Sequence, residues 1–169
     1  VKLKGEKLLH ADMQITEVVV PVKETLAKAC SYGVSITVLL TAMLLCSIHE
    51  EIPKNRQKKP VALMIPVNLR NYFPSQSMGN FFGWIEVGYT FSDETTFQNV
   101  LYDVKKQFKE KLVKDKIAMA MNGYVRLEKN PVIRAVPLEI KKYFMMAGAN
   151  LGSRSITAVY SNIGILRFP

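Results

Sequence analysis

The residues best placed to do chemistry stand where an apolar run of the chain gives way to polar side chains. Asn68 and Arg70 directly follow the apolar stretch from Val61 to Val67. A guanidinium that is buried without a partner is strongly destabilising. Arg70 is therefore expected either to be clamped by a carboxylate or backbone carbonyls or to face a ligand, and we favour the structural clamp.

Two further polar turns flank apolar runs. Gly79-Asn80 lies in a loop that also contains Pro74, and Ser161-Asn162 is followed by Gly164 after an alternating stretch. Glycine and asparagine are common in ordinary turns, so a purely structural interpretation stays open at both places.

Few residues of the chain are candidates for a general base, a nucleophile or a metal ligand. The chain contains two histidines: His10, expected to be exposed near the amino end, and His49, expected to be solvated at a helix end beside the helix dipole. A zinc-binding helix would need a second histidine four residues after the first, and none is present, so no metal site is predicted. Cys30 and Cys46 are interpreted as reduced core thiols of a cytoplasmic protein.

Composition favours one folded domain, 1–169. Hydrophobic residues make up 49% of the chain, which argues against disorder, and the net charge is +9. The charge is compatible with a face for nucleic acid, anionic membrane or phosphorylated ligands, or simply with solvated helices. No basic pattern interleaved with aromatic residues supports nucleic-acid binding. Val34–Ile48 is shorter than the roughly 20 residues of a membrane span.

Periodicity predicts the elements that must position these residues. Alternating or continuous apolar runs predict strands, and apolar residues at three- and four-residue spacing predict helices. The predicted strands are Gln14–Val20, Val61–Val67, the second apolar run, which ends at Phe91, and Ser155–Tyr160. Trp84 lies in the third of these strands and is predicted to be a core residue.

The predicted helices begin and end at identifiable capping residues. The first runs from Pro21 to Ser31 and is stopped by Gly33, and the second is capped by Ser35 or Thr37 and continues to Ile48. The third is capped by Ser92, has Asp93 and Glu94 in its first turn and carries apolar residues from Phe97 to Leu112. A fourth covers Ile117–Leu127, and Pro131 and Pro137 each mark a break or a new helix start. Glu50–Lys59 is predicted to be a flexible basic loop.

Three segments resemble the later part of one enzyme superfamily, and they occur in the order that family requires. They are "S-Y-G-V-S-I-T" leading into an apolar helix, "P-V-N-L-R" followed by a proline loop and "G-N-F", and "V-Y-S-N-I-G". The family is the coenzyme A-dependent acyltransferases, which includes the chloramphenicol acetyltransferases, the BAHD enzymes and the condensation domains. The chain is most similar to the bacterial alcohol acetyltransferase branch.

The resemblance implies an α/β fold, a mixed sheet covered by helices that forms one lobe of a two-lobed enzyme. It implies acyl transfer from acyl-coenzyme A, a co-substrate and not a tightly bound cofactor, to an alcohol or amine. Gly79, Asn80, Ser161, Asn162 and Gly164 would then form part of the channel wall between the lobes.

The family's His-x-x-x-Asp motif, whose histidine is the general base, is absent. Gln14 stands four residues after His10, and Pro53 four after His49. The chain is therefore expected to be the later lobe of a longer enzyme, to contain no catalytic residue and to be inactive alone. The partner would be the other lobe, with a homodimer of the isolated domain expected through the uncovered face. A non-catalytic binding or scaffolding domain with the same fold stays an alternative.

Overall fold

A small mixed sheet and the helices packed on it form the centre of the computed structural model, which describes residues 1–3, 14–76, 78–152 and 155–164. The helices are α1 (Val22–Ser31), α2 (Ile36–Glu51), α3 (Phe97–Lys111), α4 (Lys114–Lys129), α5 (Pro131–Ala135) and α6 (Leu138–Gly152). The strands are β1 (Val61–Asn68), β2 (Phe82–Tyr89) and β3 (Ala158–Val159).

The sheet has the order β2-β1-β3, with β1 in the middle. β1 pairs antiparallel with β2 along its whole length, from Val61 opposite Tyr89 to Asn68 opposite Phe82. β3 pairs parallel with β1, Leu63 lying opposite Ala158. The predicted mixed α/β class is confirmed at this level.

One face of the sheet carries the core. Alternate residues of β1 and β2 are buried there, as expected from the two-residue period of a strand. Helices α2 and α3 pack on this face and on each other. The buried residues shared among these elements include Leu45, Leu63, Val87, Val100 and Val104.

The other face of the sheet is open in the part of the chain that the structure describes. Phe82 and Trp84 project from it, and Trp84 is 44% exposed. The prediction that Trp84 lies in a strand is confirmed, but its assignment to the core is wrong. The strand alternates faces, and Trp84 falls on the face opposite to Ile85 and Val87.

Local backbone and capping signals explain the end of α1 and the start of α2. Gly33 has a φ of 63°, a left-handed conformation suited to glycine, and it ends the turn after α1. Ser35 is the N-cap of α2, with its hydroxyl oxygen accepting from Val38 N, as predicted. The helix continues past Ile48 to Glu51, so the predicted loop begins later than expected and contains a 3-10 turn over Lys54–Arg56.

Two sequence predictions about elements are wrong. Residues 14–20 form no strand and pair with none of the three described strands, and Ile15, Val18, Val19 and Val20 are exposed. The N-cap of α3 is Thr96, whose hydroxyl accepts from Asn99 N, and not Ser92. Ser92 instead closes a turn with Thr95, so Asp93 and Glu94 precede the helix.

The later elements follow the predicted breaks with adjusted bounds. Pro131 begins α5, and α6 begins directly after Pro137. The sequence also predicts one amphipathic helix carrying the lysines of residues 105–116, but Lys116 lies in α4, because α3 ends at Lys111. The predicted strand over 155–160 shortens to Ala158–Val159, although Thr157 N and Tyr160 N also donate to carbonyls of β1.

Candidate functional site

The carboxyl end of β1 leads into a tight turn that Arg70 ties to the following loop. Asn68 Oδ1 accepts a hydrogen bond from Arg70 N at 3.0 Å, which starts a 3-10 turn over Leu69–Asn71. The Arg70 guanidinium donates to the carbonyl of Gly79 at 2.9 Å and lies 6.0 Å from the centre of the Phe81 ring. Arg70 therefore joins the two ends of the loop between β1 and β2.

The clamp at Arg70 differs from the sequence-based expectation in one respect. Arg70 is exposed, whereas its position after a buried strand suggested a buried charge. Leu69 in the turn after β1 is buried, whereas Asn68 and Arg70 on either side of it are exposed. The free-energy penalty for removing Arg70 is correspondingly smaller than that for breaking a buried pair.

The second predicted turn is anchored to the start of α2. Asn162 Nδ2 donates to Thr37 Oγ1 at 2.9 Å, and Asn162 Oδ1 accepts from Gly164 N at 2.9 Å. Gly164 has a φ of 78°, a conformation that residues with a Cβ rarely adopt. The asparagine thus holds its own turn and fixes it against a helix 125 residues away in sequence.

Both predicted turns extend from the same end of the sheet. β3 runs parallel to β1, so Ser161 and Asn162 follow β3 at the end where Asn68 closes β1. Gly79 and Asn80 precede β2 at that same end, because β2 is antiparallel to β1. The two turns flank β1 from opposite sides, since the strand order is β2-β1-β3.

A cavity of about 300 Å³ is lined by residues of β1 and β2, by the end of α3 and by the first half of α4. Its apolar lining residues include Leu69, Trp84 and Ile85 on the side of the sheet and Ile117 and Met121 on α4. Lys111, Lys116 and Glu86 supply the charged part of the lining. None of the five predicted channel residues lines this cavity.

Side chains of α3 occupy the hydrogen-bonding edge of β2 beside that cavity. Gln107 accepts from Gly88 N at 3.2 Å and donates to Gly88 O at 2.6 Å, so its amide acts like a peptide group of an additional strand. The same amide donates to Asp103 Oδ2 at 2.7 Å. One turn further along, Lys111 Nζ donates to the backbone oxygen of Glu86 and to Gln107 Oε1.

The titratable groups near the core are poorly suited to act as nucleophiles. Burial, and secondarily the charge of Glu50, raises the pKa of the Cys46 thiol, which disfavours its reactive thiolate. Cys30 is also a free thiol, but it is exposed and not part of the core as predicted. Burial raises the pKa of the Tyr160 hydroxyl, whose oxygen has no hydrogen-bond partner among the described residues.

The two histidines have different outcomes. His10 lies outside the residues that the structure describes. His49 is not a solvated helix end, because its ring stacks on Phe91 with centres 4.0 Å apart and planes 7° from parallel. Its Nδ1 is buried without a hydrogen-bond partner in the described part of the chain. Across residues 1–3, 14–76, 78–152 and 155–164, no group of three His, Cys, Asp or Glu side chains is placed to hold a metal ion.

The sequence analysis predicted neither the cavity nor the pair of hydrogen bonds between the Gln107 side chain and the Gly88 backbone, called the Gln107 bridge below. The apolar spacing of Ile117 and Met121 on α4 gave part of the signal, since residues four apart share a helix face. Nothing in the sequence indicated that this face would lie beside Trp84. Gln107 carries no pattern that distinguishes it from an exposed helix residue.

No described helix is by itself long and apolar enough to cross a membrane. Helices α1 and α2 together have sufficient length and apolar content, but the chain bends by 87° between them. Comparisons with protein-family models, with curated proteins and with solved structures find no match to this chain.

Proposed function

We propose that this chain is the later lobe of a coenzyme A-dependent acyltransferase acting in the cytoplasm, and that the intact enzyme transfers an acyl group from acyl-coenzyme A to an alcohol or amine. One observation supports the proposal. The three segments that resemble the family meet around one end of the sheet, and the bond from Asn162 to Thr37 joins the first segment to the last. Separated motifs that converge in space are typical of a shared site.

In this proposal the chemistry is a direct attack on the thioester. A histidine of the other lobe takes the proton from the acceptor hydroxyl or amine, whose oxygen or nitrogen forms the new bond to the acyl carbon. The carbon–sulfur bond breaks, and coenzyme A leaves as a thiol after it receives a proton. The present lobe supplies a wall formed by Gly79, Asn80, Ser161, Asn162 and Gly164. The raised pKa of the Cys46 thiol favours this route over a covalent acyl-cysteine.

A non-catalytic interaction domain is the second candidate. It is favoured by the exposed apolar side chains of α6, among them Tyr143 and Phe144. Large exposed apolar patches on soluble proteins are often covered by a partner. On this alternative, the same turns would stabilise the fold without contacting a substrate.

The test uses the full polypeptide encoded by the gene, with thiol release from acetyl-coenzyme A measured over a panel of alcohols and amines. We expect a His-x-x-x-Asp motif upstream, turnover by the full polypeptide and none by residues 1–169 alone. Asn162→Ala should lower kcat/KM by about tenfold, because a displaced wall misaligns the reactants. Asn122→Ala, at an exposed position of α4, is the matched control and should leave kcat/KM unchanged.

Each outcome bears on the proposal. Turnover by residues 1–169 alone would overturn the assignment of the base to another lobe. A gene without the histidine motif, or a full polypeptide that releases no thiol with any acceptor, would favour the interaction domain. Unchanged kcat/KM in Asn162→Ala would remove that residue from the channel wall.

A further inference from the structure

The cavity beside β2 combines an apolar wall with fixed positive charge. Its apolar lining includes Leu69, Trp84 and Ile85 together with Ile117 and Met121 of α4. The volume of about 300 Å³ lies at the lower limit of typical small-molecule pockets. A cavity of this size suits a small ligand that is mainly apolar.

The position of Lys111 is set by the protein and not by solvent. Its Nζ is held by the backbone oxygen of Glu86 and by Gln107 Oε1. An ammonium group has three donors, so these two bonds leave one for a ligand. Holding the side chain in advance lowers the conformational entropy lost when a ligand binds.

Lys116 supplies a second positive charge at the same cavity. It makes no hydrogen bond or ion pair with any residue that the structure describes. Glu86 is the acidic residue of the described lining, so the lining carries two positive charges against one negative charge. A ligand with a single negative charge complements this excess.

We propose that the cavity binds a small amphiphilic carboxylate, an aliphatic acid of medium chain length. The chain lies against Trp84, Ile117 and Met121, and the carboxylate accepts hydrogen bonds from Lys116 and Lys111. The residues fit this class better than a neutral aliphatic alcohol, which would leave the lysine charges without compensation. The proposal does not depend on the acyl-transfer activity proposed above.

Trp84 makes the proposal directly measurable, because it is the single tryptophan of the chain. It is 44% exposed, so an aliphatic chain that covers its ring should shift the fluorescence emission to shorter wavelength. Octanoate, kept below the concentration at which it forms micelles, is the probe for titration of residues 1–169. Octanol and octylammonium are the comparison ligands, with the same chain and a neutral or positive head group.

Three variants separate the parts of the site. Lys116→Gln should weaken octanoate binding by about threefold or more while leaving the response to octanol unchanged, as expected for loss of one exposed ion pair. Ala120→Phe should abolish the response to both ligands, because the ring fills the cavity from an exposed helix position. Lys109→Gln removes an exposed lysine that does not line the cavity and should bind octanoate like the unmodified chain.

The expected order of affinity is octanoate, then octanol, then octylammonium. Equal affinity for octanoate and octylammonium would overturn the charged half of the proposal. No saturable shift of the Trp84 emission with octanoate, or an unaltered shift in a folded Ala120→Phe variant, would overturn the cavity assignment. Circular dichroism of each variant establishes that it is folded before titration.

Discussion

Helices α2 and α6 are nearly equal in length, 16 and 15 residues, and both are rich in apolar residues, yet they have opposite environments. Six side chains of α2 are buried, among them Leu39 and Leu45. None of the described side chains of α6 is buried, and Tyr143 and Phe144 are 72% and 73% exposed. Apolar content thus predicts a helix that gains from burial, but it does not predict what covers it.

The difference lies in what each helix can pack against. α2 lies between β1 and α3, so its sides meet apolar surfaces. The described side chains of α6, by contrast, are mostly exposed, and they include the charged residue Lys142. The stability of the protein should therefore depend on the sheet with α2 and α3, and four pairs of substitutions test this expectation.

The largest expected effect is at Leu45. This side chain is fully buried, and Leu45→Ala should lower the free energy of unfolding by about 2–5 kcal/mol through lost burial and a residual cavity. Phe144→Ala on α6 should change it by less than about 0.5 kcal/mol, as is usual for exposed positions. Urea unfolding followed by circular dichroism measures both. Equal losses at the two sites would show that α6 is packed as tightly as α2.

Glycine positions give a second contrast. A Cβ on Gly88 would lie 2.8 Å from the backbone oxygen of Val61, a contact that only a backbone shift relieves. Gly88→Ala should therefore cost about 1–3 kcal/mol. Among the described residues, no atom beyond the neighbouring backbone of α4 lies within 4 Å of a Cβ built on Gly123, so Gly123→Ala should stabilise by about 0.5–1 kcal/mol. Changes of the same sign in the two variants would contradict this difference in packing.

The Gln107 bridge tests how α3 holds the sheet edge. Gln107→Ala removes both hydrogen bonds to Gly88 and should cost about 1–2 kcal/mol. Gln98→Ala, at an exposed position in the first turn of the same helix, is the control. Hydrogen exchange of the Gly88 amide should accelerate only in Gln107→Ala. An unaltered exchange rate would mean that the amide is protected by something other than Gln107.

Among the losses expected at Leu45, Gly88, Gln107 and Arg70, the smallest is at Arg70. Its guanidinium is exposed although it donates to Gly79 O, so Arg70→Ala should cost less than about 1 kcal/mol. The expected loss of unfolding free energy is therefore smaller than the roughly 3–5 kcal/mol lost when one partner of a buried ion pair is removed. Thermal unfolding of Arg70→Ala beside Lys58→Ala, an exposed control, measures the difference. A loss of several kcal/mol would restore the buried-clamp interpretation.

Local signals predicted the local structure well. Gly33, Ser35 and Pro131 act at helix ends as their conformational preferences require. The strand at residues 14–20 failed because β-branched residues indicate strand propensity, whereas a strand also needs a neighbour, which no local pattern supplies. Ser92 failed as a cap because Thr95 and Thr96 compete for the same role three and four residues later.

The candidate sites depended on long-range contacts and were less accessible from sequence. Asn162 was singled out as a turn residue, but its bond to Thr37 requires knowledge that β3 pairs with β1. Trp84 and Lys116 are 32 residues apart in sequence, and no local pattern indicated that both would line one cavity. The expected self-association of the isolated domain stays a prediction, and the exposed face of α6 adds a surface through which it could occur.

The position of β3 in the sheet has a consequence for the order of folding. β1 and β2 are consecutive strands separated only by residues 69–81, so their pairing closes a smaller loop than the pairing of β1 with β3. β3 reaches β1 only after a long chain segment has closed, as the bond from Ala62 N to Thr157 Oγ1 spans 95 residues. We therefore expect the hairpin with α2 and α3 to form first and β3 to dock last, so that the Asn162 turn is completed in the final step of folding.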